Sequence, residues 1–418
     1  MDLDYRLADR IDDPFVFVPV VAKHAETAVP ELHRDAILVD TVHDGDLIPR
    51  KYLERDGRAV LPKNVVQSAF ARERDWGADL VAEHLARWLG LAGYHRVAVA
   101  RVLLDFNRFP GTTPPGADDP LGRLSINPPF AAALTHPEKM SLLEEVYDGI
   151  SDRMERALAG KLIRLGIHTY DEHNPNLTRR PTVSLITRPA SYQQNSRMPF
   201  GVFDPMYPDE LGESTCSRTL RDRISLNLER AGFRVGHNHP YLLPEGCIDV
   251  RSQVWVFFLY LRRRFELERP ETREDPAFRR VWTMLLNTNL RLAEAESLRG
   301  FLHRYRRVGA DVLPAFQAAQ RAYEEVREFV SQSRVVTDFR RSHHRPSSLV
   351  IEVRKDVVAE LDPETRLPLR LIPENASRIA KVIAGAVTTF LTTDRQVPEE
   401  GISGRLPALS PDAQRGWV

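Results

Sequence analysis

The sequence predicts an α/β protein, a mixed sheet flanked by helices, with a helical insertion late in the chain. Three observations predict it. From Asp13 to about Val250, short β-branched or aliphatic runs alternate with longer amphipathic stretches. From Ser252 to about Val335, strand signal gives way to helical periodicity rich in Arg, Glu, Leu and Ala. A strong strand then returns at residues 348–354.

In chain order, the strands are expected at residues 15–21, 36–40, 97–104, 162–168, 182–186 and 233–236, where β-branched and aliphatic side chains cluster between polar breaks. Helices are expected at 76–91, at 141–158 behind the acidic pair Glu144 and Glu145, and at 220–231, each from apolar residues at helical spacing. The break at Glu268-Arg269-Pro270-Glu271 and a pause around 307–313 divide the block 252–335 into about three helices. A last helix is expected at 376–393, followed by a Pro- and Gly-punctuated tail with little to pack, expected to be mobile. This organisation gives a discontinuous core, residues 1–251 and 336–393, an inserted helical block at 252–335 and a tail at 394–418.

Composition narrows the function classes. The 58 Lys+Arg balance 58 Asp+Glu, and 28% charged with 42% hydrophobic residues fits a soluble globular chain. No basic excess points to nucleic acid. The richest apolar run, residues 254–261, is far shorter than the ~20 residues of a spanning helix, and Arg262, Arg263 and Arg264 close it, so a buried helix is expected and no membrane span. The acidic start, Met1-Asp2-Leu3-Asp4, is unlike a secretory leader, and the cytoplasm is the expected location. Two cysteines, Cys216 and Cys247, make no disulfide framework and no Cys-based zinc site, so both are expected reduced and any metal must use His and carboxylates.

Five segments carry residue types suited to chemistry. After the 36–40 strand comes Val42-His43-Asp44-Gly45-Asp46-Leu47-Ile48-Pro49. A His and a carboxylate three residues apart at a strand's carboxyl end are placed to chelate, and imidazole with carboxylate suits Zn²⁺; equally, Asp46 in a Gly turn would only cap it. At the end of the 162–168 strand, His168 could supply a further ligand and leave a coordination position open, whereas His173, deeper in a polar loop, reads as solvated or as a support. In Asp105-Phe106-Asn107-Arg108, a guanidinium and an amide at a strand end suit capture of a carboxylate, or a surface ion pair. In Ile351-Glu352-Val353-Arg354, an ionisable Glu sits inside an apolar strand, with Arg354 on the same face, as either a catalytic group or a structural pair. Finally, Asn238-His239-Pro240-Tyr241 offers donors in a loop, with Tyr241 able to donate to an oxyanion or simply to face water. His343-His344 between arginines reads as a weak anion patch or a solvated loop, and the arginines at 262–264 and 304–307 as helix-face side chains lying along apolar surface.

Taken in order, these segments resemble the N-formylglutamate amidohydrolase family, relatives of the zinc carboxypeptidases and aspartoacylases. The family's pattern is a His-Ser-Gly-type turn ending in Pro, an Asp-Leu-Asn-Arg strand end, a strand-end His, an Asn-x-Pro-Tyr loop and a late Gln-x-Glu-hydrophobic-Arg strand. This chain offers His43-Asp44-Gly45 with Pro49, Asp105-Phe106-Asn107-Arg108, Ile167-His168-Thr169, Asn238-His239-Pro240-Tyr241 and Ile351-Glu352-Val353-Arg354; Asp204 and Leu211-Gly212-Glu213-Ser214-Thr215-Cys216 are also similar.

The resemblance implies a phosphorylase/hydrolase-like fold with one zinc ion per chain, ligated by His43, Asp46 and His168. It implies Glu352 as general base and acid, and Asn107 and Arg108 as holders of a substrate carboxylate; in the reaction this suggests, Arg354 or Tyr241 is expected to steady the oxyanion. The expected reaction is hydrolysis of the amide of an N-formyl or N-acyl amino acid by metal-activated water. Two departures, Asp44 in place of Ser and the block at 252–335, which would emerge near the active face as a lid, keep a carboxypeptidase-like enzyme acting on a larger peptide open as a substrate class. A non-catalytic binding protein on a relic hydrolase core is the reading from a different class.

Overall fold

A computed structural model describes residues 4–22, 27–112, 124–190, 203–342 and 345–394. His343, His344 and the tail expected to be mobile, apart from Asp394, lie outside the described residues. The chain divides into two compact units: the first takes the described parts of residues 1–187, 216–243 and 347–405, the second those of 188–215 and 244–346.

The first unit is built on a seven-stranded mixed sheet. Its strands are β1 (Phe15–Pro19), β2 (Ile37–Thr41), β3 (Gly93–Val97), β4 (Ile163–Tyr170), β5 (Val183–Ile186), β6 (Val235–His237) and β7 (Ser347–Arg354). They lie in the order β6-β5-β7-β4-β2-β3-β1. The central strands β7, β4 and β2 are mutually parallel, while β5 runs antiparallel to β7 and β1 antiparallel to β3. This is the helix-flanked mixed sheet that the alternating pattern predicts.

The helices of this unit used below are α1 (Lys63–Glu73), α2 (Ala78–Leu89), α3 (Asp148–Leu158), α4 (Arg218–Arg230) and α5 (Pro373–Thr389). Period two divides the strands into two faces. Ile37 and Val39 of β2, Ile163, Leu165 and Ile167 of β4, and Leu349, Ile351 and Val353 of β7 form one buried apolar cluster with α2, α4 and α5. Helix α2 reaches it through Val81, Ala82, Leu85, Ala86 and Leu89, the spacing that builds one helical face, and α5 through Ile379, Ile383 and Val387. Burying each large aliphatic side chain here contributes roughly 1.5–3 kcal/mol.

The alternate residues are polar and also buried: Asp40, Arg164, His168, Ser184, Ser348, Glu352 and Arg354. The guanidinium of Arg164 pairs with Asp40 at 2.7 Å and reaches Ser348 Oγ at 3.3 Å. Gly166 makes room for it, since a Cβ there would come within 3.0 Å of that guanidinium.

Two boundaries differ from expectation. The strand expected at 97–104 lies upstream, at Gly93–Val97. The apolar run leaves the sheet after Val97 and is buried in turns, with Val99 bridging Leu47 and Leu104 bridging Ile126, so it reads as strand only because burial alone explains its composition. The helix expected from residue 141 begins at His136, behind a Thr135–Glu138 capping box, and runs through a π-helical turn at Leu143–Tyr147 into α3.

The second unit is helical, with Ile248–Glu268, Pro276–Leu286, Ala293–Leu302, Leu313–Gln332 and the short Val335–Arg341. Phe265 anchors it, packing on Phe278, Trp282 and Phe329 with ring centroids 5.3–5.7 Å apart. The additional break falls after Leu286, where Asn287 turns the chain by bonding Glu296 through its amide nitrogen and Leu292 N–H through its oxygen. No helix among the described residues is long and apolar enough to cross a membrane. Cys216 and Cys247 are buried and neither forms a disulfide.

Candidate metal centre

The site lies at the carboxyl ends of three neighbouring parallel strands, β2, β4 and β7, the position where open α/β sheets bind ligands. His43 follows β2 in a loop that runs tightly against the chain leaving β3. Gly45 permits that approach, because a Cβ there would meet the carbonyl oxygens of Val97 and Val99 at 2.4 Å. His168 is near the end of β4, and Glu352 is its cross-strand partner on β7.

The third element is the start of α2. Its first turn takes its cap from outside the helix: Asp79 N–H donates to the Asp44 carboxylate at 2.9 Å, because the residue preceding the helix, Gly77, has no side chain to cap it. Arg74 donates to the same carboxylate at 2.6 Å and stacks over Trp76. Asp75 N–H donates to the His43 carbonyl at 3.1 Å. The loop carrying His43 and the turn carrying Asp75 are therefore fastened to each other at several points.

These fastenings bring His43, Asp75 and His168 together, with one potential ligand atom from each lying within 4.8 Å of the others. All three are buried. Asp75 Oδ2 is 2.9 Å from His168 Nδ1 and 3.5 Å from His43 Nδ1. His43 Nε2 is 2.8 Å from Asp105 Oδ1, the kind of carboxylate–imidazole contact that fixes a ligating histidine's tautomer. Arg101 reaches Asp75 at 3.1 Å and Asp105 at 3.4 Å and so holds both carboxylates in place.

The electrostatics follow from burial and charge. Burial and Arg101 pull His43 down, yet Asp105 and Asp75 outweigh them and hold it above the ordinary histidine value. His168 is lowered, by burial first and by the His43 and Arg101 charges. Asp75 and Asp105 fall below the carboxylate range, as their histidines and Arg101 overcome the cost of burial. Glu352 is raised well above its usual value by burial and by Asp75. Burial and Asp79 push Asp44 up to about 7.

Two imidazoles and a carboxylate with an oriented histidine form a donor set that can bind a metal. Buried atoms without a hydrogen-bond partner gather here, among them His168 Nε2, Glu352 Oε2, Asn107 Oδ1 and Arg101 Nε. Such atoms are costly in a finished interior and fit a site completed by a ligand.

The structure does not bring every sequence-predicted residue to this cluster. Asp46 is held instead by Arg6, whose Nε and Nη2 each donate to it at 2.8 Å, and the carboxylate beside the two histidines is Asp75. The physical reason is that residues 47–49 leave the loop as a short strand beside Arg6–Ala8, which delivers Arg6 to Asp46. Arg354 is occupied by Asp356, with two contacts of 2.8 Å, rather than free for an oxyanion. Tyr241 is exposed. His173, with its side chain 45% exposed, is a loop residue beside Glu172. Asn107 lies next to the cluster, its N–H donating to Asp105 at 2.9 Å, and the Arg108 guanidinium approaches the Asp105 carboxylate only to 3.9 Å.

Sequence reading missed Asp75 and Arg101. A carboxylate just before an amphipathic helix reads as a cap, and an arginine preceding an apolar run reads as surface. The usable signal was Asp75-Trp76-Gly77, an acid separated from its helix by a glycine that cannot cap.

Among solved structures, the chain is similar to the crystal structure of N-formylglutamate amidohydrolase from Ralstonia eutropha, at 14% identity over 90% of this chain and 97% of that one, with a TM-score of 0.46. It is also similar to a gene product from Agrobacterium tumefaciens, at 14% identity over 85% of this chain and 92% of that one, with a TM-score of 0.43. No curated protein matches it significantly. The model of the N-formylglutamate amidohydrolase family matches residues 35–254, a span just over half of the chain that contains His43, Asp75, Arg101, Asp105 and His168. The chain belongs to the N-formylglutamate amidohydrolase family, hydrolases acting on carbon–nitrogen bonds of small molecules.

Proposed function

We propose that this protein is a zinc-dependent amidohydrolase that cleaves the amide of an N-formyl or N-acyl amino acid, with His43, Asp75 and His168 holding the ion. The observation that carries this reading is the buried His43–Asp75–His168 group within 4.8 Å, which supplies three protein ligands and leaves coordination open, as in catalytic rather than structural zinc sites. When bound, the ion supplies Lewis acidity to the scissile carbonyl.

The chain's own residues supply the rest. Asp105 accepts from His43 Nε2–H and so presents Nδ1 as the ligating atom, while Arg101 keeps both carboxylates ionised and oriented. Glu352, whose Oε2 has no protein partner, takes a proton from the attacking water and returns it to the leaving amine nitrogen. Its backbone register opposite His168 keeps this oxygen near the donor set. The Arg108 guanidinium, 3.9 Å from the Asp105 carboxylate, retains donors for a substrate.

The test is hydrolysis of N-formyl-L-glutamate and N-acetyl-L-glutamate by purified protein, before and after chelation and after return of zinc. Turnover that disappears on chelation and returns with zinc supports the reading. Turnover of neither substrate by zinc-loaded protein, or turnover unaffected by complete metal removal, contradicts it.

A further inference from the structure

We propose that Arg180 binds the α-carboxylate of the substrate and so makes the enzyme selective for N-acyl amino acids over their neutral amides; this rests on the hydrolase reading above. The loop after β4 folds back on itself. Asn174 N–H donates to Thr178 O at 3.1 Å, Thr178 N–H to Asn174 Oδ1 at 2.7 Å and Arg180 N–H to Glu172 O at 2.8 Å, so residue 180 returns beside the end of β4. There its guanidinium lies over the Tyr170 ring, 5.1 Å from the centroid.

Tyr170 is fixed in turn. Its hydroxyl donates to Pro181 O at 2.8 Å and lies 2.9 Å from Ser184 Oγ, and Ser184 is the cross-strand neighbour of Glu352. Tyr170 follows His168 by two residues on the same strand and therefore shares its face. The stack accordingly holds Arg180 on the face that carries His168 and Glu352.

What distinguishes Arg180 is that its charge is unspent. Arg101, Arg180 and Lys355 are among the cations whose charge acts on Glu352. Arg101 is committed to Asp75 and Asp105, and Lys355 to Asp171 at 3.1 Å. Arg354, also at this strand end, is committed to Asp356. Arg180 has no carboxylate partner among the described residues, and its buried Nε has no acceptor. An aromatic face orients a guanidinium without neutralising it and leaves its donor edge free for a planar, bidentate acceptor.

The α-carboxylate is the acceptor that the reaction geometry selects. The leaving nitrogen protonated by Glu352 is bonded to the carbon that bears this group, so its binding residue must lie near Glu352. Arg180 meets that requirement.

The test compares N-formyl-L-glutamate with its α-amide, N-formyl-L-isoglutamine, on zinc-loaded wild type, R180Q, R180K and R108Q. Wild type is expected to favour the carboxylate by roughly a hundredfold or more in kcat/KM, as sites with buried groups built for one polar partner do. R180Q is expected to lose most of that ratio through KM, with its zinc content and its kcat on the α-amide unchanged, while R180K recovers part of the ratio and R108Q keeps it. R180Q retaining the wild-type ratio, or R108Q alone losing it, overturns the assignment to Arg180. Wild type that hydrolyses neither compound overturns the hydrolase reading itself, which separates the two failures.

Discussion

The two faces of the same three strands make opposite use of burial. Along β4, Ile163, Leu165 and Ile167 point into a cluster sealed by α2, α4 and α5, whereas the alternate residues Arg164 and His168 point to a face lined by Asp40, Ser348 and Glu352. Both sets are almost fully buried. On the first face burial is the stabilising term itself; on the second it is a cost, offset by ion pairs such as Arg164–Asp40 and left uncompensated at Glu352 Oε2 and His168 Nε2. Apolar stabilisation is therefore concentrated on one side of the sheet and the candidate site on the other, at the strands' carboxyl ends.

Substitutions should separate the faces. The largest effect is expected for Glu352→Gln, which keeps the shape but removes the proton acceptor. Turnover of N-formyl-L-glutamate should fall by roughly 10²–10⁴-fold, with zinc content and melting temperature retained. A Glu352→Gln enzyme of undiminished activity would remove the general-base assignment. On the opposite face, Ile351→Ala, one residue away in sequence, should cost about 2–5 kcal/mol of stability in denaturant unfolding, while kcat per folded molecule stays near wild type. If its kcat falls as steeply as that of the glutamate variant, the two faces are not separable. The smallest effect is expected for Asp46→Asn. Its pair with the exposed Arg6 is a surface contact worth about 0–1 kcal/mol, so both stability and turnover should change little.

The apolar face was legible in the sequence because it is written in local periodicity. The expected strands at 36–40, 162–168, 182–186 and 348–354, and the helices at 76–91 and 220–231, overlap β2, β4, β5, β7, α2 and α4. His43, His168 and Glu352 also stand out in the sequence as polar residues at the ends or in the middle of apolar strands, and the structure places His43 and His168 together with Glu352 opposite His168. Asp75 was not. It joins the histidines only when the start of α2 is pinned to the His43 loop by Asp44 and Arg74, contacts between segments about 30 residues apart that no spacing rule encodes. The same limit made Asp46 attractive, since it is near His43 in sequence, while Arg6, the residue that occupies it, comes from 40 positions away. The expected strand at 97–104 failed for a different reason: an apolar run records burial, and turns bury side chains as strands do.

The choice between Asp75 and Asp46 is also where the account is most directly testable. Elemental analysis of zinc in wild type, Asp75→Ala and Asp46→Ala, purified side by side with folding confirmed by circular dichroism, decides it. About one zinc per chain is expected in wild type and in Asp46→Ala, and a large loss in Asp75→Ala. Zinc retained in Asp75→Ala and lost in Asp46→Ala would contradict the metal centre described above.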